Sequence, residues 1–220
     1  MKKPKLLDLF CGAGGAAVGY HRAGFEVEGV DIKPQPHYPF KFYLADALEF
    51  PLEGYDCYHA SPPCQKWSGL ADVTKHHTGK FPEHPDLIAP TREILIATGK
   101  HYVIENVTKS PLNTVIILCG ASMGLRCVQR HRHFETSFMI FQPKCSHTKE
   151  PQIYGVYGKL NGRAIFPRKE YRTTYAARDI EHARELLGID WMDDGEIQEA
   201  IPPAYTEYIG KYLMQCLLTT

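Results

Sequence analysis

At 220 residues, 44% of them hydrophobic and 23% charged, the chain has room for one domain with a sizeable core and at most a small appendage. No apolar stretch approaches the roughly 20 residues that span a bilayer, and Met1-Lys2-Lys3-Pro4-Lys5 leads straight into a strand-like run, which argues against a signal peptide or membrane anchor. Seven irregularly spaced cysteines point to reduced thiols and against a disulfide framework. The formal net charge of +0 is uneven: −1 over residues 1–125, +8 over 126–178 and −7 over 179–220. A basic block in a neutral chain is the footprint of a polyanion-binding surface, or else a solvated basic loop, and the acidic tail would limit nonspecific association.

In chain order, Lys5–Phe10 reads as a strand running into Cys11-Gly12-Ala13-Gly14-Gly15 and a helix to about Ala23. Phe25–Asp31, Lys41–Ala45 and Tyr55–Ala60 read as further strands. Leu87, Ile88, Ile94 and Leu95 give Pro85–Thr98 helical spacing, and Tyr102–Ile104 is a strand entering Glu105-Asn106. Val115–Cys119 follows as a sixth strand. This alternation predicts an α/β fold, a Rossmann-like, doubly wound, mostly parallel sheet. Residues 142–178, rich in Gly, Pro, Tyr and basic side chains, read as an irregular insert; Ile180–Leu187 and Tyr205–Leu218 read as helices. The divisions expected are a core over 1–134, a small region over 135–197 and a returning helix over 198–220.

Two strand ends carry chemistry. Ser61-Pro62-Pro63-Cys64-Gln65 holds a cysteine on a stiff turn after a strand, where the prolines limit the backbone in front of it. Open α/β sheets place their chemistry at such carboxyl ends, although a buried structural thiol is the plainer reading of an arbitrary cysteine. At the first strand-to-helix turn, glycines let the backbone approach a ligand, and Asp31 and Asp46 end the next two strands. Such acids suit ribose hydroxyls and an adenine amino group, hence an adenosine-bearing cofactor.

Together, Asp8-Leu9-Phe10-Cys11-Gly12-Ala13-Gly14-Gly15, Ser61-Pro62-Pro63-Cys64-Gln65 and Glu105-Asn106-Val107, in this order, resemble the C5-cytosine DNA methyltransferase family, closest to its short bacteriophage- or prophage-type members. The resemblance covers most of residues 5–134 and resumes near Ile201-Pro202-Pro203. It implies a class I methyltransferase using S-adenosyl-L-methionine, held by Asp8, Phe10, Gly12, Gly14, Gly15, Asp31, Ile32, Asp46, Ala47, Pro62 and Glu199. It further implies a DNA (cytosine-5-)-methyltransferase in which Cys64 attacks C6 of a flipped cytosine, Glu105 protonates or hydrogen-bonds N3, and Asn106 orients that shell. Arg130 and Arg132 keep the family's Arg-x-Arg spacing and complete the expected catalytic set. Alignment on Gln129 would instead put His131 and His133 in those positions; a permanent guanidinium suits a carbonyl or phosphate better than neutral imidazole.

Two departures from the family stand out. The region between the Arg-x-Arg strand and the C-terminal motif spans at most Glu135–Ile197, which implies a short recognition sequence or relaxed specificity. The family's Gly-Asn-x-Val-Pro-Pro reads Gln198-Glu199-Ala200-Ile201-Pro202-Pro203, with Glu199 where an Asn would line the cofactor pocket. Lys66, Lys75, Lys80, His76 and His77, in the loop after Cys64, and Tyr154, Tyr157, Tyr171 and Tyr175, among Arg163, Arg168, Lys169 and Arg172, are candidates for nucleic-acid contact, or for a solvated loop and the insert's own core. Arg92 is assigned no catalytic role. Cys145-x-His147, with Cys119 and Cys127 upstream, lacks a paired zinc-knuckle spacing, so no metal is expected. The expected partner is double-stranded DNA, and the chain is expected to act as a monomer in the cytoplasm of a bacterium or phage-infected cell. The alternatives are a tRNA cytosine-5 methyltransferase and an inactive DNA-binding or accessory module.

Overall fold

The computed structural model describes residues 2–64, 67, 85–128, 130–145, 152–166 and 173–219. Its centre is a seven-stranded sheet of β1 (Lys5–Leu9), β2 (Glu26–Asp31), β3 (Lys41–Leu44), β4 (Cys57–Ala60), β5 (His101–Asn106), β6 (Val115–Leu118) and β7 (Arg132–Thr136), in the order β3-β2-β1-β4-β5-β7-β6. Every pairing from β3 to β5 is parallel; β7 runs antiparallel between β5 and β6. The predicted doubly wound sheet is therefore present. Strand β4 is buried at every position and β1 at all but its first, the burial expected of central parallel strands covered on both faces.

Helices α1 (Gly15–Arg22) and α5 (Pro203–Thr219) cover one face, and α2 (Ile88–Ala97) the other. On the first face, Tyr20, Phe25, Phe134, Tyr205 and Ile209 form the core; on the second, Leu7, Leu9, Tyr58, Leu95 and Ile104 do so. The approach of α1 to α5 needs small residues: a Cβ on Gly19 would lie 2.0 Å from Thr206 Oγ1. Thr206 Oγ1 in turn donates to the Ala16 carbonyl at 2.8 Å, locking the C-terminal helix onto the first turn of α1.

The region expected to be irregular carries order of its own. Strands β8 (Ile153–Gly155), β9 (Ala164–Phe166) and β10 (Thr174–Ala176) form a separate sheet in the order β8-β10-β9. At three residues each, they are too short for alternation to appear as a period. Helix α3 (Ile180–Leu187) matches the predicted element and is capped by Asp179 Oδ1 accepting from the His182 amide. A short α4 (Asp194–Glu199), which periodicity did not reveal, starts on a capping box between Asp193 and Glu196. Val128, Val156, Leu187, Met192 and Ile197 make a second core that packs against Ala13, and Trp191 Nε1 donates to the Ala13 carbonyl at 2.8 Å. The smaller region is thus tied to the glycine turn of the main sheet.

Candidate active site

The carboxyl ends of β1, β2, β4 and β5 converge as the topology requires. At β1 the chain turns through left-handed φ at Phe10 (57°), Gly12 (49°) and Gly14 (85°). Nothing lies within 4 Å of where a Gly12 Cβ would stand, so the turn presents bare backbone to open space. Gly15 is glycine for another reason: a Cβ there would lie 2.4 Å from the Ile201 carbonyl oxygen, where the C-terminal segment crosses. Asp31 is held at the end of β2 by the Gly12 amide (3.0 Å to Oδ2) and the Lys33 amide (2.9 Å to Oδ1). Asp46 caps its own turn through the Leu48 amide at 2.9 Å, Ala47 behind it is buried, and Ile32 is 67% exposed beside Asp31. An aligned carboxylate, a second exposed acid, an uncovered apolar side chain and a glycine turn fit a ligand with a ribose and a flat base. Asp8 is placed differently: it is wholly buried under the sheet's helical cover, where burial, and then the charge of Asp31, push its carboxyl pKa well up. It belongs to the foundation of the turn.

At the end of β4 the Pro62-Pro63-Cys64 turn is anchored from beneath. The Ser61 amide donates to the Leu9 carbonyl at 3.1 Å, and Asn106 Nδ2 donates to the buried Pro62 carbonyl at 2.8 Å. Asn106 Oδ1 accepts from the Val107 amide at 2.9 Å, so one side chain joins the ends of β4 and β5. Cys64 itself is half-buried. Burial and the neighbouring Glu105 carboxylate push its thiol pKa up, Arg132 pulls it down, and Glu199 adds a smaller upward push.

Glu105, the penultimate residue of β5, is almost fully buried, and Arg132 Nε stands 3.0 Å from its Oε1. Burial raises the Glu105 pKa, against the pull of Arg132, of Arg130 and of a hydrogen bond from Ser61. Behind Ser61 runs a buried relay: His59 Nε2 lies 2.9 Å from Ser61 Oγ, and His59 Nδ1 lies 3.0 Å from the Tyr20 hydroxyl. Burial drops the His59 pKa to about 3, so the ring is neutral. With Ser61 donating to the Glu105 carboxylate, His59 must donate from Nε2 and accept from Tyr20 at Nδ1. Period two on β4 places His59 and Ser61 on one face, a signal present in the sequence two and four residues ahead of Pro63 but passed over there.

The two arginines part company. Arg132 opens β7 and reaches Glu105, whereas Arg130 precedes the strand and is 3% exposed. Arg130 Nη2 donates to the Gln198 carbonyl at 2.6 Å and Nη1 to the Val156 carbonyl at 3.4 Å, with the guanidinium 5.1 Å over the Tyr157 ring. Although the two share the Arg-x-Arg spacing, their settings differ because only Arg132 lies in the strand. Arg130 clamps the smaller region to the C-terminal motif. His133 is partly buried, its pKa lowered by that burial. Glu199 is exposed at the end of α4 and faces Cys64 electrostatically.

Arg92, given no role from sequence, is a strut: Nε and Nη2 grip Glu135 at 2.8 and 2.7 Å, and Nη2 reaches the Pro111 carbonyl at 2.9 Å. Tyr154 packs edge-on to His182 at 4.6 Å in the smaller region's core, while Arg163 is exposed. Lys66, Lys75, Lys80, His76, His77, Gln129, His147, Arg168, Lys169, Tyr171 and Arg172 lie outside the described residues.

No protein-family model and no curated protein matches the chain. Solved structures do. An Escherichia coli prophage-encoded protein assigned as a DNA modification methyltransferase superimposes with TM-score 0.66 at 15% identity, over 99% of this chain and 100% of the other. The methyltransferase EhMeth of Entamoeba histolytica gives 0.60 at 12% identity, over 99% of both chains. The Dnmt2 methyltransferase of S. pombe gives 0.59 at 11%, over 98% and 99%. The chain shares its fold with these three solved proteins. Likeness over whole chains places the smaller region, as well as the sheet, within that fold. Among the described residues no helix is long and apolar enough to cross a membrane.

Proposed function

We propose that the chain is an S-adenosylmethionine-dependent DNA cytosine-5-methyltransferase that works through a covalent Cys64–C6 adduct. The observation that carries this reading is the convergence of a half-buried thiol, a buried carboxyl and a guanidinium at adjoining strand ends, beside a glycine turn shaped for an adenosine. Phe10, Gly12, Asp31, Ile32 and Asp46 would hold the cofactor, which when bound supplies an electrophilic methyl group. Gly14, Gly15, Ala47, Pro62 and Asp8 shape that wall from behind.

C5 of cytosine is a poor nucleophile, and the residues remedy this together. The Cys64 thiolate adds to C6, forming an S–C6 bond and moving electron density toward C5 and N3. Glu105, its proton affinity raised by burial, hydrogen-bonds or protonates N3 as that density arrives. Arg132 holds Glu105 in line and offers its remaining N–H groups to the cytosine carbonyl oxygen. After C5 is methylated, its proton leaves to water or a base, C5=C6 re-forms, the thiolate departs and Glu105 recovers its proton. Because C6 is out of reach in a stacked duplex, the cytosine must be extruded, and the basic 126–178 block is the surface that would track the phosphates. A compact recognition region suits a short target sequence; the chain is proposed to act alone, on double-stranded DNA, in the cytoplasm.

The test is methyl transfer from tritiated S-adenosylmethionine to duplex DNA and to tRNA, with Cys64→Ser alongside. Label in DNA that vanishes in Cys64→Ser, together with a denaturation-resistant adduct on 5-fluorocytosine DNA, is the expected outcome. Label in tRNA alone overturns the substrate, an adduct persisting in Cys64→Ser overturns the nucleophile, and no label in either leaves the accessory-module reading.

A further inference from the structure

We propose that Cys119, His131 and Cys145 form a zinc site that staples the end of β6, the start of β7 and the segment that follows β7. The ligand atoms of all three lie within 4.8 Å of one another. Cys119 follows β6, His131 immediately precedes β7, and Cys145 lies beyond it, so strand pairing rather than sequence proximity assembles them. This explains why no knuckle spacing announces the set.

The geometry is close to that of a tetrahedral ion. Zn–S bonds near 2.3 Å and Zn–N bonds near 2.0–2.1 Å set sulfur–sulfur and sulfur–nitrogen separations of roughly 3.8 and 3.6 Å. Cys145 Sγ and His131 Nε2 already stand 3.4 Å apart, and the Cys119 and Cys145 thiols are within hydrogen-bonding range. Cys119 is buried and the other two are half-buried, and three protein ligands leave a fourth position to a water or another donor. Cys119 Sγ accepts from the Ser122 backbone amide at the start of the 3-10 turn Gly120–Met123. Amide donors of this kind stabilise a metal-bound thiolate and fix its direction. Two thiolates and an imidazole are soft, nitrogen–sulfur ligands that select zinc over magnesium or calcium. Metal entry would release the two thiol protons to solvent.

The other polar cluster among the described residues, His37 with Asp193 and Glu196, does not compete. Its His37 Nδ1 is bonded to both Glu196 oxygens at 3.0 and 2.8 Å, and Asp193 is committed to capping α4. At the proposed site the metal would close the 119–131 loop one residue ahead of Arg132, the residue that grips Glu105. The inference stands apart from the methyl-transfer reading, since metal binding is measured without cofactor or nucleic acid.

The full-length chain, reduced and stripped by chelator, is titrated with zinc and separately with cobalt(II). Expected are about one metal per chain and, with cobalt, thiolate charge-transfer bands and the visible absorption of a tetrahedral ion. Zinc should protect Cys119 and Cys145 from alkylation, read peptide by peptide, while Cys216 stays as reactive as before. Cys119→Ser/Cys145→Ser should abolish the cobalt spectrum, Cys216→Ser should keep it, and His131→Asn should weaken binding by at least about tenfold. The proposal is overturned by an octahedral cobalt spectrum without thiolate bands, by zinc that leaves both thiols unprotected, or by a Cys119–Cys145 disulfide in a chain that binds no metal once reduced. The protection experiment uses the unaltered chain, so a variant that fails to fold does not blunt the test.

Discussion

Cys64 and Cys119 both follow a strand of the main sheet, and their surroundings suit them to the two different roles proposed above. Around Cys64 the neighbours are charged: a buried carboxyl, the guanidinium that pairs with it, and Glu199. Burial pushes the pKa of that thiol up, Glu105 adds to the push, and Arg132 opposes it. Around Cys119 the neighbours are a second thiol, an imidazole and a backbone amide. The lesson is that strand-end position makes a cysteine available, while the chemical hardness and charge of what folds against it decide between nucleophile and ligand.

The sharpest way to break this contrast is to delete one thiol chemistry and watch the other. Cys64→Ser should lower methyl transfer by at least about 10³-fold, as loss of a covalent nucleophile does. A zinc chelator should lower the melting temperature equally in Cys64→Ser and in the unaltered chain. A chelator effect that disappears in Cys64→Ser would mean the two sites are one.

Next in size, Glu105→Gln should cost on the order of 10²–10⁴ in rate, the usual worth of a general acid. It also removes the negative charge that disfavours the Cys64 thiolate, so alkylation of the Cys64 peptide should set in at lower pH than in the unaltered chain. Arg132→Gln removes a positive charge and should move that onset the other way, to higher pH. Onsets that stay put in both variants would show that Cys64 does not feel the pair.

Arg130 and Arg132 extend the comparison from thiols to guanidiniums. Arg130→Met keeps the apolar stem but abandons the buried carbonyls of Val156 and Gln198, and should destabilise the chain by about 1–3 kcal/mol in urea unfolding. Arg132→Met, partly exposed and tied to the reacting carboxyl, should cost rate more than stability. The reverse ranking would undo the assignment of one to architecture and the other to chemistry. Smallest is Ser61→Ala, which cuts the His59 relay from Glu105. A fall in kcat of about tenfold with KM unchanged is expected, matching one hydrogen bond to a charged group. A change confined to KM would place Ser61 in binding instead.

Much of this was readable before any tertiary contact was known. The glycine turn, Asp31, Cys64 and Glu105 each sit at a strand end, and strand ends are announced by local pattern: a short apolar run, then glycine, proline or an acid. Parallel topology brings those ends to one edge, so order along the chain sufficed to collect them. Strands β8, β9 and β10 escaped because three residues carry no usable period.

The sequence by itself determined the alternation of elements, the edge at which the chemistry gathers and the residue types offered there, because each depends on local backbone preference and side-chain period. Tertiary structure alone decided which side chains meet. Arg130 and Arg132 are two residues apart, yet one is buried on backbone carbonyls and the other faces Glu105, since β7 begins between them. Tyr20 reaches His59 across 39 residues, and Cys119, His131 and Cys145 gather because β6 and β7 pair antiparallel. Contacts of that kind are set by which strands and helices pack together, a property of the whole chain that no single segment carries.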